Sequence, residues 1–175
     1  MRAVVGFCGS RSLSVSFAPL VSSVVAGVVG SGAQVVVGCA SGADLHVRSA
    51  CPAALVLSVA SGVFGSGRAA FVLRSRALVH HVAAASGVQV GFVSSACPAG
   101  VVPAASWRSG ASVSGSWSSL ALAAGTGAGV VVFWCGAGAP LLPAWSGGSW
   151  GRAAGLFAGG WVWAQRPVQV QGSLF

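Results

Sequence analysis

Five residue types are missing from the 175-residue sequence: lysine, glutamate, asparagine, isoleucine and tyrosine. Asp44 is the only acidic residue, and all nine basic residues are arginines. Every missing type needs adenine in its codons, and only eleven residues are of types whose codons must contain it. This pattern indicates a coding strand depleted of adenine. The composition therefore reports mutational bias as well as physical chemistry.

The formal charge of +8 arises because acids are missing, not because basic residues are dense. A strongly positive protein is normally a candidate for binding nucleic acid or an anionic membrane. Here the arginines form no run along the sequence. Net charge alone therefore does not select a partner, and a nucleic-acid role stays open.

Long uncharged stretches, such as those between Arg11 and Asp44 and between Arg108 and Arg152, resemble membrane spans by hydropathy. Gly, Ser and Pro interrupt them every few residues, so none supplies about 20 unbroken apolar positions. We therefore predict no membrane association. Arg2 leads directly into a short strand, which does not fit a signal peptide.

The five cysteines form no CxxC pair and are odd in number. Reduced thiols in a cytoplasmic protein are the expected state. No spacing of cysteine and histidine supports a metal site.

Strand-like and helix-like segments alternate along the chain, which predicts an α/β fold. We expect a Rossmann-like open parallel sheet of about five strands with helices on both faces, plus a Trp-rich C-terminal extension. The predicted strands are 2–7, 34–38, 55–59, 88–93 and 129–134, and the predicted helices are 17–29, 43–50, 67–85 and 115–124. Residues 1–135 are expected to form one domain. Residues 136–175 are predicted to be mostly loop and to pack on that domain or on a partner subunit, with a short helix at 152–158 and edge strands at 161–163 and 168–171.

Two glycine turns follow the first two predicted strands, at residues 6–11 and 38–44. Glycine allows a sharp turn and a close approach of the backbone to a ligand. A helix that begins there presents free N–H groups, which suit phosphate. Arg11 and Asp44 are then placed to pair with phosphate and with a ribose hydroxyl or loop amides. Open α/β sheets bind ligands at this carboxyl edge.

Arginines also follow the third strand, where Arg68, Arg74 and Arg76 lie in the first half of the predicted helix. Basic residues near a helix N-terminus favour a nearby anion. The alternative is that they are solvated or cover apolar surface with their stems. Residues 94–114 form a long segment, with Trp107 and Arg108 its only large pair, that is typical of a lid, a binding loop or disorder.

Taken together, these motifs resemble the SLOG superfamily, the Rossmann-like group that includes the DNA-processing protein DprA and the LOG phosphoribohydrolases. They are Gly9-Ser10-Arg11, Gly38-x-Ala-x-Gly-Ala-Asp44, Gly67-Arg-Ala-Ala-x-x-x-Arg-x-Arg76 and Gly115-Ser-Trp. The pattern is most similar to the small YspA-like branch, whose motifs run GSR, GGAxGAD, GRAAGxxRNR and GT. The resemblance spans residues 1–134 and implies that residues 1–135 are a SLOG-like nucleotide-binding domain.

The resemblance implies a site for a nucleotide or a nucleotide-derived ligand such as ADP-ribose, in a sensor or weak nucleotide-processing protein. The implied binding residues are Gly9, Ser10, Arg11, Gly38, Gly42, Asp44, Arg68, Arg74, Gly115 and Ser116. Three positions depart from the branch pattern: Cys39 replaces Gly, Ser75 replaces Asn, and Ser116 replaces Thr. LOG enzymes use an acidic residue beside the glycine motif, and the absence of glutamate argues against that hydrolysis.

No catalytic constellation follows from residue spacing. Asp44 is the weak candidate for a base toward a ribose, and a capping role at a helix N-terminus is the alternative. His80 and His81 lie well down their helix, away from the expected loop edge. Enzyme activity therefore stays undecided, and no cofactor is implied beyond a nucleotide ligand.

Two further functions stay open. One is DprA-like binding of single-stranded nucleic acid through arginines, with salt-dependent affinity. The other is a self-assembling structural protein, favoured by few charges and a Trp-rich tail. A homo-oligomer is expected whichever function applies.

Overall fold

The computed structural model describes residues 2–107 and 114–166. They form one mixed sheet and four α-helices. The strands are β1 (Val4–Gly9), β2 (Gln34–Gly38), β3 (Leu55–Leu57), β4 (Val88–Val93), β5 (Gly129–Trp134), β6 (Gly148–Arg152) and β7 (Trp161–Gln165). The helices are α1 (Ala18–Gly30), α2 (Ala43–Ala50), α3 (Gly67–Ala84) and α4 (Gly115–Gly125).

The sheet has the strand order β3-β2-β1-β4-β5-β7-β6. Strands β1 to β5 are parallel, whereas β7 runs antiparallel to β5 and β6 antiparallel to β7. The predicted α/β, Rossmann-like architecture is confirmed. The strand count was too low, since the sheet has seven strands rather than about five and is partly antiparallel.

The two faces of the sheet carry separate hydrophobic cores because alternate residues of each strand point in opposite directions. Phe7, Val37 and Phe92 face α1 and α2. Val4, Val36 and Val132 face α3 and α4. Both faces of the central strands are therefore covered, which explains their nearly continuous apolar sequences.

Helix α4 is buried on nearly all sides, with every residue from Trp117 to Ala124 buried. One side of the helix packs on the sheet, where Leu120 lies against Gly91 of β4. Residues 94–107 cross another side, and Ala104 N–H donates to the Ala121 carbonyl at 3.4 Å. A helix covered in this way is apolar all round rather than amphipathic.

Four tryptophans form a single group, called here the tryptophan cluster: Trp117, Trp145, Trp150 and Trp163. Trp150 lies on β6 and Trp163 on β7, and the two residues are opposite each other in the β6–β7 pairing. Their rings lie 5.4 Å apart, centroid to centroid. This contact explains why residues 148–151, predicted as loop, lie in a strand despite containing no β-branched residue.

The remaining predictions for the C-terminal region have mixed outcomes. The strand predicted at 161–163 is present as part of β7, but its predicted edge position is wrong, because β7 lies between β5 and β6. The short helix predicted at 152–158 is wrong: β6 extends to Arg152, and only a 3-10 turn, Gly155–Phe157, follows. The strand predicted at 168–171 lies outside the described residues, and the division of the chain at residue 135 stays a prediction. Among residues 2–107 and 114–166, no helix is long and apolar enough to cross a bilayer.

Candidate functional site

A cavity of about 810 Å³ opens at the carboxyl edge of the parallel strands. Its wall includes Ser10, which follows β1, and Ser94, which follows β4. Strands β1 and β4 are neighbours, but the chain reaches β4 only after β2 and β3 on the other side of β1. The cavity therefore lies where the strand order reverses, which is the usual ligand position in open α/β sheets.

Ser10 joins the loops on the two sides of this reversal. Its N–H donates to the Phe92 carbonyl at 2.9 Å. Its Oγ accepts from the Ser94 N–H at 3.0 Å and lies 2.8 Å from the Ser94 Oγ. The Ser10 hydroxyl therefore has a structural role, and it fixes the first glycine turn against the end of β4.

The second glycine turn needs glycine at two positions behind the cavity. A methyl group on Gly38 would overlap the Arg74 guanidinium. Gly42 has a φ of +65° and packs against the backbone of Ser10 and Arg11. Glycine adopts such a φ without strain, whereas other residues rarely do. The two turns can therefore touch, and Ala43 N–H donates to the Ser10 carbonyl at 3.1 Å.

A buried ion pair joins α2 to α3 at the cavity wall. Arg74 Nη1 lies 3.1 Å from Asp44 Oδ2, and both side chains are almost fully buried. The same carboxylate oxygen accepts from the Ala40 N–H at 3.2 Å. Arg48 Nη1 completes the arrangement by donating to the Gly38 carbonyl at 2.7 Å. Asp44 thus holds Arg74 and the second turn in place.

Two other arginines at the cavity are exposed. Arg11 comes from the first turn, and Arg68 comes from the first turn of α3. The Arg11 guanidinium carbon lies 4.9 Å from the centroid of the Phe71 ring, a cation–π contact that orients the arginine. Because the one acidic side chain of the sequence is paired with Arg74, neither exposed arginine has a carboxylate partner among the residues that the structure describes.

The N-terminus of α4 forms another part of the wall. Ser114 is the N-cap and accepts from the Trp117 N–H at 3.5 Å. Gly115 and Ser116 line the cavity. Free backbone N–H groups and the positive end of the helix dipole are expected here. This end of the helix therefore adds to the positive potential from the arginines.

Cys8 lines the cavity but is a poor nucleophile. Burial, followed by the negative charge of Asp44, raises the pKa of the thiol from 9.0 to about 12. Its Sγ donates weakly to the Ser116 carbonyl at 3.8 Å. A thiol with this pKa stays protonated at neutral pH, and only the thiolate is reactive. Within the described part of the chain, no group of three or more His, Cys, Asp or Glu residues is arranged to hold a metal ion.

The structure brings most of the sequence-predicted residues together. Those that line the cavity are Gly9, Ser10, Arg11, Asp44, Arg68, Arg74, Gly115 and Ser116. Gly38 and Gly42 lie behind its wall. Arg76, His80 and His81 are exposed on α3 and do not line it. Arg108 lies outside the described residues.

The sequence reasoning missed two aromatic side chains in the wall, Phe71 and Trp107. Phe71 lies one turn after Arg68 on α3, so its spacing places it on the same helix face. Trp107 was noted only as a large residue in a long loop. Both are partly exposed and in a position to contact a ligand.

No protein-family model matches this sequence, and neither does any curated protein. A solved structure that resembles it is that of DNA processing protein A from Helicobacter pylori, reported with the single-stranded DNA binding mode of that protein. The two chains share 18% sequence identity, with a TM-score of 0.53 over 75% of this chain and 65% of the other. This chain therefore spans less than two thirds of that neighbour's length. The similarity shows a DprA-type Rossmann-like fold.

Proposed function

We propose that the protein binds single-stranded nucleic acid, with single-stranded DNA the first candidate, at the cavity on the carboxyl edge of the sheet. One observation carries this proposal: two exposed arginines, a helix N-terminus and two aromatic side chains surround the same space. A basic groove interleaved with aromatic rings is the usual composition of a single-strand binding surface. The DprA-type fold of the chain adds support by analogy.

Arg11 and Arg68 bind the phosphates of the strand. Both are exposed and positively charged, and neither has an acidic partner. The N-terminus of α4 provides a further position for a phosphate. Arg74 is a different case, because Asp44 already neutralises its charge. We therefore assign Arg74 to the structure of the site rather than to direct phosphate binding.

Phe71 and Trp107 provide the aromatic rings on which the bases stack. Stacking on an aromatic ring is tolerant of base identity, and it contributes about 1–3 kcal/mol per base. Much of the remaining wall consists of serine hydroxyls, which both donate and accept hydrogen bonds. Such a lining favours binding with little sequence preference.

A free nucleotide or nucleotide-derived ligand is the second candidate. The cavity volume of about 810 Å³ falls within the usual range for small-molecule sites. The glycine turns and the helix N-terminus would suit its phosphates. Arg74 and Ala40 both donate to Oδ2 of the Asp44 carboxylate, so a ribose hydroxyl would have to bind the other oxygen, Oδ1. The aromatic rings of Phe71 and Trp107 beside the exposed arginines favour the strand over the free nucleotide.

A fluorescence anisotropy titration separates the two candidates. A labelled deoxythymidine oligonucleotide is titrated with protein, and a duplex of the same length serves as the control. We expect saturable binding to the single strand that weakens as salt rises, with weaker binding to the duplex. Displacement of the oligonucleotide by micromolar ADP-ribose or ATP would instead support the free nucleotide. Absence of saturable single-strand binding at low salt would refute the proposal.

The finer family assignment is also a proposal. The motif order supports the YspA-like branch of the SLOG superfamily. All five cysteines are free thiols, which supports a cytoplasmic location.

Self-association is supported by β3, an edge strand whose Leu55 and Val56 are exposed. Light scattering with and without oligonucleotide tests this last point, and a monomer in both samples would refute it.

A further inference from the structure

We infer that Trp145 is a positioning residue through which the C-terminal strands set the shape of the cavity. Trp145 lies between β5 and β6 and does not line the cavity itself. It acts on residues 94–107, which contribute Ser94, Ser95 and Trp107 to the cavity wall. The inference rests on the proposed function, since it concerns how the same site is held open for its ligand.

Trp145 is the centre of the tryptophan cluster. Its ring centroid lies 6.0 Å from that of Trp117, 5.3 Å from that of Trp150 and 5.5 Å from that of Trp163. The contacts to Trp117 and Trp163 are edge-to-face, a favourable geometry for aromatic pairs. Trp145 is only 4% exposed. Its orientation is therefore fixed by α4 on one side and by β6 and β7 on the other.

A hydrogen bond from this fixed ring holds residues 94–107, called here the cavity loop. The Trp145 Nε1–H donates to the Val101 carbonyl at 2.8 Å. A parallel contact is made by Trp117, whose Nε1–H donates to the Ser95 carbonyl at 2.9 Å. Two indoles of one cluster thus bind the same segment, six residues apart along the chain.

Residues 94–107 contain no helix or strand and therefore depend on such contacts. Ser94 bonds to Ser10 at the start of the segment, and Val101, Val102 and Trp107 pack against the core. Farther along, the bond from Ala104 N–H to the Ala121 carbonyl is long, at 3.4 Å. The indole bonds are shorter and come from rigid, buried donors. Loss of the Trp145 donor should therefore loosen the segment and displace Trp107, which is one of the two stacking surfaces of the site.

The cluster also contains a matched control. Trp150 is a neighbouring member whose Nε1–H donates to the Pro143 carbonyl at 2.9 Å. That bond lies entirely within the C-terminal region and does not reach the cavity loop. Trp145→Phe and Trp150→Phe therefore remove the same atoms and one N–H donor each. Only the former releases the loop.

The test compares the two variants in the full chain by three measurements: oligonucleotide affinity, amide hydrogen exchange of residues 99–104, and melting temperature. We expect W145F to accelerate exchange in this segment and to weaken affinity roughly three- to tenfold, as for one lost hydrogen bond. W150F should leave hydrogen exchange and oligonucleotide affinity near their wild-type values. It should lower the melting temperature about as much as W145F does. Should W145F fail to fold, Trp117→Phe provides the same comparison through Ser95.

Equal effects of the two variants on exchange and affinity would show that the cluster only stabilises the fold and would overturn the inference. Faster exchange without weaker affinity would overturn it as well. The proposed function fails by a different result, the absence of oligonucleotide binding by the wild-type protein. The two failures are therefore distinguishable in one experiment.

Discussion

Replacement of Asp44 by alanine should destabilise the protein strongly, because it leaves the buried Arg74 guanidinium without a counter-charge. The two side chains are 6% and 7% exposed and lie 3.1 Å apart. Arg74 Nε already has no hydrogen-bond partner among the described residues. Breaking a buried pair by removing one partner costs about 3–5 kcal/mol. For a chain of this size, that corresponds to a fall in Tm of roughly 6–20 °C.

The double variant Asp44→Ala with Arg74→Met should be less destabilised than Asp44→Ala alone, because it removes the unpaired charge and retains an apolar stem. Urea denaturation followed by circular dichroism gives all the free energies of unfolding, and a double-mutant cycle gives the coupling energy. A loss below about 1 kcal/mol in the single variant, as for an exposed pair, would refute the reasoning. Additive effects in the double variant would refute it equally.

Three further predictions follow from the site. Gly38→Ala should cost about 2 kcal/mol or more in the free energy of unfolding because its methyl overlaps the Arg74 guanidinium, whereas Gly30→Ala, which meets no atom within 4 Å, should be tolerated. Phe71→Leu keeps an apolar side chain but removes the ring, so it should weaken oligonucleotide binding by about 1 kcal/mol or more in anisotropy titrations. The Cys8 thiol should make the protein sensitive to alkali: its pKa rises from 9.0 to about 12 on folding, so its stabilising contribution is complete below pH 9.0 and is lost as pH rises toward 12. Free energies of unfolding from urea titrations should therefore depend on pH alike in Cys8→Ala and wild type below pH 9.0, and should fall less steeply for Cys8→Ala above it, by about 1.4 kcal/mol per pH unit.

The parallel part of the fold could be read from the sequence because local signals agree there. Strands β4 and β5 have the predicted bounds, as does α2, since apolar runs end at glycine turns and helix starts. The sequence also predicts that the site lies at the carboxyl edge of the sheet, because two glycine turns follow neighbouring parallel strands there.

The rest depends on contacts between residues distant in sequence. Strand β6 has a strand-poor sequence and forms because Trp150 packs against Trp163. Arg74 was expected to bind phosphate, yet the structure pairs it with Asp44, thirty residues earlier. Spacing alone shows that an arginine faces the sheet edge. It does not show whether an acidic side chain lies close enough to form an ion pair with it.

The salt dependence of oligonucleotide binding tests the central claim most directly. The dissociation constant of the single strand is measured across a series of salt concentrations for wild type, Arg11→Ala, Arg68→Ala and Arg76→Ala. Arg76 is the matched control, because it lies on the same helix as Arg68 and is exposed but outside the cavity. We predict that each cavity variant weakens binding and lowers the slope of log K against log salt by about 0.7, the value for one lost phosphate contact. The Arg76 variant should keep the wild-type slope, and the same slope in all four proteins would contradict the account.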